Sequence, residues 1–470
     1  MKISAFNHHA ALLLACSILA GCQLQPDYKK PDVRVPDQWN HQFSAQSSEN
    51  AVGEGDFYKD RNLRVIIGLS LRNNMDLKEA ALNLRKAQEL YGIERLSILP
   101  SVNASFSQTS AHEPAGLLDT VDTGALTYHQ FDAKLVSASW ELDFWGRLRS
   151  MKDSALNNYL ATDATARALR LSITAQAASS YLTFLADKEN LRLAERKSAN
   201  LRQMQSMQAA AWRLGDVSQE TLLSQDTALR RQQQDVAALR ASVQKDYDAL
   251  QLLLGGDPPL RLMENVAFTD LADFPPLQPD LPSTVLQKRP DVAAAEFRMR
   301  QANADIGAAR AAFFPTISLT ASGGSSSAAL GDLFSAGTAA WSFSPNINLP
   351  IFNNGRNMAN LHAAEISQQI AAADYEKVIK QAFRDTSDAM AERQAGRSRY
   401  EESVSLSANR TEMLKMTKLS AQAGDRSSFD CLDAENSLLD ARRESNEERL
   451  HLFLQDIQLF QALGGNVNSN

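Results

Sequence analysis

Cysteine is almost missing from this chain. Three occur in 470 residues, at Cys16, Cys22 and Cys431. They are too few and too far apart for a disulfide framework or a thiolate metal centre. Seven histidines are present. His8 and His9 fall in the leader described below; His41, His112, His129, His362 and His451 are scattered and form no paired ligand motif. No metal or cofactor is expected. Past the first twenty residues there is no run of 18 or more apolar residues, which excludes a transmembrane helix. Neither sign of charge is strongly in excess. A net charge of -7 argues against nucleic-acid binding. No nucleophile elbow, phosphate loop, metal triad or carboxylate pair in a cleft stands out, so an enzyme is not expected. Proline is absent between Pro114 and Pro258 and again after Pro350, leaving two long stretches without helix breakers.

What is present begins with an export signal over 1–21. Lys2 is followed by an apolar core from Ala10 to Ala20 ending in small residues. Leu19-Ala20-Gly21-Cys22 matches a bacterial lipobox, so cleavage would leave Cys22 to carry diacylglycerol. Several acyl chains, at roughly 0.8 kcal/mol per buried CH₂, anchor firmly. Gln23 in the following position suits sorting to the outer membrane. Residues 22–56, with Pro26, Pro31 and Pro36, read as an extended arm.

The rest is an internal two-fold repeat. Gly146-Arg147 returns as Gly355-Arg356, Gly215-Asp216 as Gly424-Asp425 and Gly255-Gly256 as Gly464-Gly465, each 209 residues later. Upstream the offset is 215: Asp76 matches Asp291, Arg85 matches Arg300, Gly92 matches Gly307 and Pro100 matches Pro315. The six-residue difference belongs in a loop between Pro100 and Gly146. The first copy spans 57–256 and the second 284–465, with a linker or equatorial segment at 257–283 and a tail at 466–470.

Each copy opens on a helix, 76–98 or 291–313. Apolar and small polar residues then alternate, predicting strands at about 101–111 and 128–142, and at about 316–326 and 338–351. In copy two Trp341, Phe343, Ile347, Leu349 and Ile351 share a face. Carrying that phase back by 209 puts Val136, Ala138, Trp140 and Leu142 on one face. The strands alone suit a membrane barrel or a soluble sandwich equally; the lipid signal and the long helices favour the barrel. Phe144 and Trp145 join Trp140, Trp341 and Phe343 as candidate interfacial aromatics. Behind Gly146 and Gly355 each copy carries a helix of about 65 residues, a turn at Gly215 or Gly424, and a return helix of about 38.

Four strands per chain cannot close a membrane barrel, and open edges are not tolerated in lipid. The chain must oligomerise: a trimer gives twelve strands and a dimer eight.

Several motifs together resemble the TolC-type outer-membrane efflux proteins, in their lipidated branch. They are the lipobox, Pro26-Asp27-Tyr28, the run from Trp140 to Arg147, the run from Leu286 to Val292, Phe314-Pro315, Leu349 to Phe352 with Gly355-Arg356, and Leu432-Asp433-Ala434. The resemblance implies a mainly α fold with membrane β: a trimeric twelve-strand β-barrel continued by a long α-helical barrel with a mixed equatorial belt. It implies a homotrimer that receives drugs or other small toxic solutes from an inner-membrane RND-type pump through a periplasmic adaptor (membrane fusion) protein, with outer-membrane lipid around it. It also places Gly215, Asp216, Gly424 and Asp425 at periplasmic tips that contact the adaptor, and Asp433, Asp430 and Arg426 at a gate. Three copies of Asp430 and Asp433, on one helical face, would favour cations and raise each other's carboxylate pKa values. Thr221 and Ala421 depart from the family's locking residues, which leaves Glu220 as the candidate to stand in for the missing acid. Two other readings stand beside this one. A periplasmic coiled-coil adaptor or scaffold lipoprotein shares the helical hairpins but not the duplication. A type I protein-secretion duct shares the architecture.

Overall fold

The computed structural model describes residues 23–33, 36, 53–114, 125–264, 266–277 and 289–465. The leader 1–21, the lipid site Cys22, most of the arm, part of the linker and the tail 466–470 lie outside the described residues. The chain divides into two compact units. One holds residues up to 31, 84–162 and 295–375; the other holds 32–83, 163–294 and 376 onward.

In chain order the helices and strands are α1 (Glu54–Phe57), α2 (Arg61–Asn73), α3 (Met75–Leu96), β1 (Asn103–Glu113), β2 (Leu126–Leu142), α4 (Arg147–Leu214), α5 (Gln219–Leu254) and α6 (Leu260–Glu264). After the linker come α7 (Pro290–Ala311), β3 (Thr316–Ser327), β4 (Ala339–Asn348), α8 (Arg356–Gln422) and α9 (Ser428–Ala462). α4 and α8 contain 68 and 67 residues; the return helices α5 and α9 contain 36 and 35. The strand limits differ from the sequence expectation by at most three residues. β4 stops at Asn348, just before Leu349-Pro350.

The first unit is built on one antiparallel sheet in the order β1-β2-β3-β4. Residues paired across a ladder share a face. Phe106 pairs with Ala133, Trp140 with Leu319, Leu142 with Ile317, Ala321 with Phe343 and Gly323 with Trp341. That face is apolar. Ser105 with Lys134, Val136 with Ser322 and Ser322 with Ser342 lie on the other.

The expected grouping of Val136 and Ala138 with Trp140 and Leu142 is therefore corrected. The register slips between Ser137 and Trp140, and Ser139 sits at φ 48°. A bulge inserts unpaired residues and resets the two-residue period. Val136 consequently joins the polar face, while Phe131 and Leu135 join Trp140 and Leu142. The backbone N–H of Ser139 donates to Thr320 Oγ1 at 3.1 Å, satisfying the bulge.

The second unit has a helical core to which α2, with no counterpart expectation in the sequence, contributes. α2 is capped by Asp60, which accepts from the Leu63 N–H at 2.7 Å. Its Leu63, Ile66 and Ile67 are buried with Tyr181, Leu185, Phe453 and Phe460. Phe57 stacks on Phe460 at 4.2 Å and on Phe274 at 4.6 Å. Burying several large aromatic faces in one place fixes where α4 and α9 pass each other.

Candidate functional site

The sheet is the first candidate. Its apolar face is exposed: Phe106 is 64% accessible, Leu135 58%, Trp341 82% and Ile347 67%. The opposite face is wet chemistry. Lys134 pairs with Asp132 at 2.6 Å, Gln130 donates to Asp132 at 3.0 Å, and Ser322 bonds Ser342 at 2.7 Å. Among the described residues β1 and β4 have unpaired outer edges, and Pro345 stands on edge strand β4, where its missing N–H is tolerated. An apolar outer surface, a polar inner surface and two open edges are the ingredients of a barrel wall.

The aromatics divide. Trp341 and Phe343 are exposed on the apolar face. Trp140 donates its indole N–H to the Ile98 carbonyl at 3.0 Å. Trp145 donates to the Pro315 carbonyl at 2.8 Å and stacks on Phe314. These two rings tie strand ends to neighbouring turns.

The strand-to-helix turns follow. Gly146 and Gly355 have φ of 73° and 76°, which favours glycine. Arg147 grips Glu141 through two bonds of 2.6 and 2.8 Å, and the Asp143 carboxylate accepts the Leu148 and Arg149 N–H groups. Arg356, its counterpart in copy two, makes no ion pair among the described residues. The two turns share backbone shape but not side-chain chemistry.

The tips repeat one device. Gly215 N–H donates to Trp212 O and Asp216 N–H to Ala211 O; Gly424 N–H donates to Ala421 O and Asp425 N–H to Ser420 O. Both are Schellman endings, with φ of 85° and 90° at the glycines. The ends of α5 and α9 carry the same pattern at Gly255-Gly256 and Gly464-Gly465. Three residues past each tip glycine a serine restarts the chain as a helix. Ser218 accepts from the Thr221 N–H, and Ser427 from the Asp430 N–H, each at 3.1 Å. In the sequence, Ser427 to Asp430 has the spacing of a capping box.

The box changes the role of Asp430. Its carboxylate accepts the Ser427 N–H at 2.8 Å and the Ser427 hydroxyl at 2.9 Å. These bonds, backbone first, hold its pKa below the usual carboxylate value. Mutual repulsion was expected to raise it; within the chain, hydrogen bonding sends it down. Asp433 lies one turn on, exposed, lining a polar groove between α9, α4 and α5 with Lys197, Asp235, Asp440 and Arg443. Neither Asp433 nor Arg426 makes an ion pair among the described residues. Thr221 Oγ1 bonds Ser218 Oγ at 3.0 Å, so it serves its own cap. Cys431 is half-buried, its Sγ 3.9 Å from the Thr417 carbonyl. Beside it, Phe429 and Leu432 pack on Leu201, Met204 and Leu229 of the first hairpin.

Above the tips, α4 and α9 run antiparallel in a marked register. Asn200 donates to Asn436 and Asn446 to Asn190, at 3.1 and 3.2 Å. Lys197 pairs with Asp440 at 2.7 Å and Arg196 with Glu435 at 3.0 Å. Another overlooked group is Asp246 on α5. Burial and the neighbouring Asp187 carboxylate push its pKa up to about 6, and its Oδ2 is buried without a hydrogen-bond partner.

Lastly, the arm following Cys22 is strapped down within the first unit. Glu296, Arg300, Asn303 and Gly307 form one stripe along α7. Lys30 pairs with Glu296 at 3.0 Å, Arg300 lies over the Tyr28 ring at 4.9 Å, and Asn303 donates to the Pro26 carbonyl at 2.8 Å. Gln23 reaches Asp153 at 3.2 Å.

Comparison with known proteins identifies the family. The family model described as outer membrane efflux protein matches residues 66–256 and again 281–465. A protein of Pseudomonas putida named toluene efflux pump outer membrane protein TtgC is 34% identical over 463 residues, covering 97% of this chain and 95% of its own. The open state of the MtrE outer membrane channel of Neisseria gonorrhoeae superposes with a TM-score of 0.83 at 31% identity, covering 94% of this chain and 98% of its own. A structure of CusC, in a study of its folding and transmembrane channel formation, gives 0.79 at 32% identity, covering 94% and 100%.

Proposed function

Since the chain belongs to the outer membrane efflux protein family, we propose that three copies close their sheets into one twelve-strand barrel through which small toxic solutes leave the cell passively. The observation that carries this reading is the two-faced sheet with open edges at β1 and β4. Four strands leave two unsatisfied edges in lipid, and joining β1 of one copy to β4 of the next removes all of them. Three copies give an even strand number within the range of known barrels and a lumen wider than eight strands allow. The polar network of Lys134, Asp132 and Gln130 would line that lumen.

The helical hairpins would continue the duct into the periplasm, where an adaptor protein and an inner-membrane pump of the RND type deliver the cargo. Relatives bear the names toluene efflux pump and antibiotic efflux pump outer membrane protein, which supports drugs, organic solvents or similar toxic solutes as cargo. The tips at Gly215-Asp216 and Gly424-Asp425 are the proposed adaptor contacts. Asp433, repeated three times around an axis, is the proposed cation-favouring ring of the gate, with Arg426 nearby. Asp430 contributes to this ring only indirectly, by fixing the start of α9.

Lipid attachment at Cys22 completes the proposal. Gln23 bonds Asp153, seven residues into α4, or about 10 Å of helix from the end of the sheet. That height suits acyl chains entering the nearer leaflet. Deleting the gene should sensitise cells to hydrophobic drugs, dyes, solvents or metals, and the intact chain should restore resistance. Unchanged susceptibility to all of them would remove the efflux assignment.

A further inference from the structure

The ladder brings together two histidines that are scattered in the sequence. Ser110 stands opposite His129, and His112 opposite Thr127. The two rings therefore occupy diagonal positions on one face of adjacent strands, roughly 7 Å apart at Cβ. Each is held through Nδ1 by the hydroxyl across from it: His129 by Ser110 at 2.9 Å and His112 by Thr127 at 2.7 Å. Gln108, next along the same face, reaches Ser110 at 3.4 Å. When the hydroxyl donates to Nδ1, the neutral ring carries its hydrogen on Nε2. Both rings are exposed, and neither Nε2 has a partner among the described residues.

The position of this pair matters more than its composition. Gln108 pairs with Phe131, and Phe106 with Ala133, so the histidines lie on the apolar face just beyond its last aromatic ring. From the Leu142–Ile317 pair to the Phe131–Ser327 pair there are ten steps along β3. At about 3.3 Å per step and a tilt of about 40°, the band is about 25 Å tall, the height of the apolar belt of an outer-membrane barrel. His129 is the next outward position on that face. It stands at headgroup level on the side away from Gly146 and the start of α4. Glu113, Asp132 and Lys134 all lie on the opposite face, so the sheet places no carboxylate beside the rings among its described residues.

We infer that His112 and His129 form a binding site on the outside of the barrel for the phosphate headgroup of an anionic outer-leaflet lipid. The inference rests on the proposed reading of the apolar face as the lipid-facing wall. Two imidazole N–H donors and the Gln108 amide match the several acceptor oxygens of a phosphate. Phe106 and Phe131 below them continue the surface that takes the acyl chains. Two histidines with no third ligand make a poor metal site.

The test uses the full-length protein in detergent, titrated with lipid A bearing two phosphates or with the same lipid dephosphorylated, and reads retained lipid by native mass spectrometry. The wild type should retain the phosphorylated lipid at least tenfold better. His112→Ala with His129→Ala should abolish that preference while remaining a trimer that inserts into vesicles. Equal retention of the two lipids by the wild type, or an undiminished preference in the double variant, overturns the site and leaves the barrel standing. A wild-type chain that neither trimerises nor inserts overturns the barrel reading and the site with it. Ser110→Ala with Thr127→Val keeps both rings but releases them. It should lower the preference several-fold, and it decides the matter if the double histidine variant does not assemble.

Discussion

Asn200 of α4 donates its side-chain amide to Asn436 of α9 at 3.1 Å, and both residues are about 95% buried. Ten residues along each helix, Asn446 and Asn190 repeat the bond in the reverse sense. Buried amides demand partners, so sliding α9 against α4 by one turn would orphan all four. The pairs thus mark one register among the many that an alanine- and leucine-rich surface allows. Asn436→Ala should destabilise the protein by about 1–3 kcal/mol, because Asn200 is left unpaired. Asn200→Leu with Asn436→Leu should recover much of that loss. Thermal melting of the detergent-solubilised protein reads both; an Asn436→Ala protein as stable as the wild type would refute the register role.

The asparagine pairs were invisible in the sequence for a simple reason. Single asparagines in a helix carry no signal until it is known which helix lies opposite. The long elements were legible because the absence of proline and the glycines at a constant offset of 209 mark helix ends directly. The strand limits were legible to within two or three residues from alternation. The phase of β2 was not, because a bulge at Ser139 looks like any other residue in a string and resets the period. At the tips, the glycines were read correctly as turns. At Asp430 the sequence admits both a gate acid and a first-turn helix-start acid, and the reciprocal bonds with Ser427 realise the second of these within the chain.

The two glycines of β3 should respond unequally to substitution. A Cβ at Gly324 would collide with the Ala133 carbonyl oxygen, whereas one at Gly323 meets nothing within 4 Å. Gly324→Ala should therefore disrupt the pairing of β2 with β3 and sharply reduce assembled, heat-resistant oligomer on a gel. Gly323→Ala should assemble normally. Equal behaviour of the two variants would contradict the register.

Asp246 gives the first hairpin a dependence on pH. Two carboxylates can share a hydrogen bond only when one carries a proton, and the Asp246 Oδ2 has no other donor. With a folded pKa of about 6 against an ordinary 3.8, its stabilising contribution is present below about pH 4 and is lost as pH rises through 6. Asp246→Asn should raise the melting midpoint at pH 7.5 and narrow the difference between pH 7.5 and pH 5. The gain should be smaller than the ~3 kcal/mol that two pH units imply in a dry site, because the carboxylate is partly solvated. Asp187→Asn should act in the same direction. A wild type and an Asp246→Asn variant with parallel pH profiles would dismiss the coupling.

The two caps at the tips separate helix-start chemistry from gating. Ser218→Ala should weaken the start of α5 by about 1 kcal/mol. Ser427→Ala should loosen the start of α9 and release Asp430, whose depressed pKa depends on that serine. Its contribution is present above the ordinary carboxylate value and fades as pH falls below it. Hydrogen exchange over 428–431 should accelerate in Ser427→Ala, and exchange over 219–222 in Ser218→Ala. Ion selectivity of reconstituted channels should fall with Asp433→Ala. Unchanged cation preference would refute the gate role of Asp433 and leave the capping results untouched.

Gly307 tests the strap on the N-terminal arm. A Cβ there would lie 2.6 Å from Ser150 Oγ and 2.9 Å from the Gln25 Cα, whereas its counterpart Gly92 has open space around it. Ser150 of α4 and the arm together account for the difference, because Gln25 and Pro26 cross α7 where side chains would otherwise stand. Gly307→Ala should push the arm off α7 and expose residues 23–33 to protease, with the oligomer intact. Gly92→Ala should leave cleavage unchanged. If the arm stays protected in Gly307→Ala, the close approach is not what holds it. The contacts of Lys30, Arg300 and Asn303 would then suffice, and Asn303→Ala with Arg300→Ala becomes the variant expected to free it.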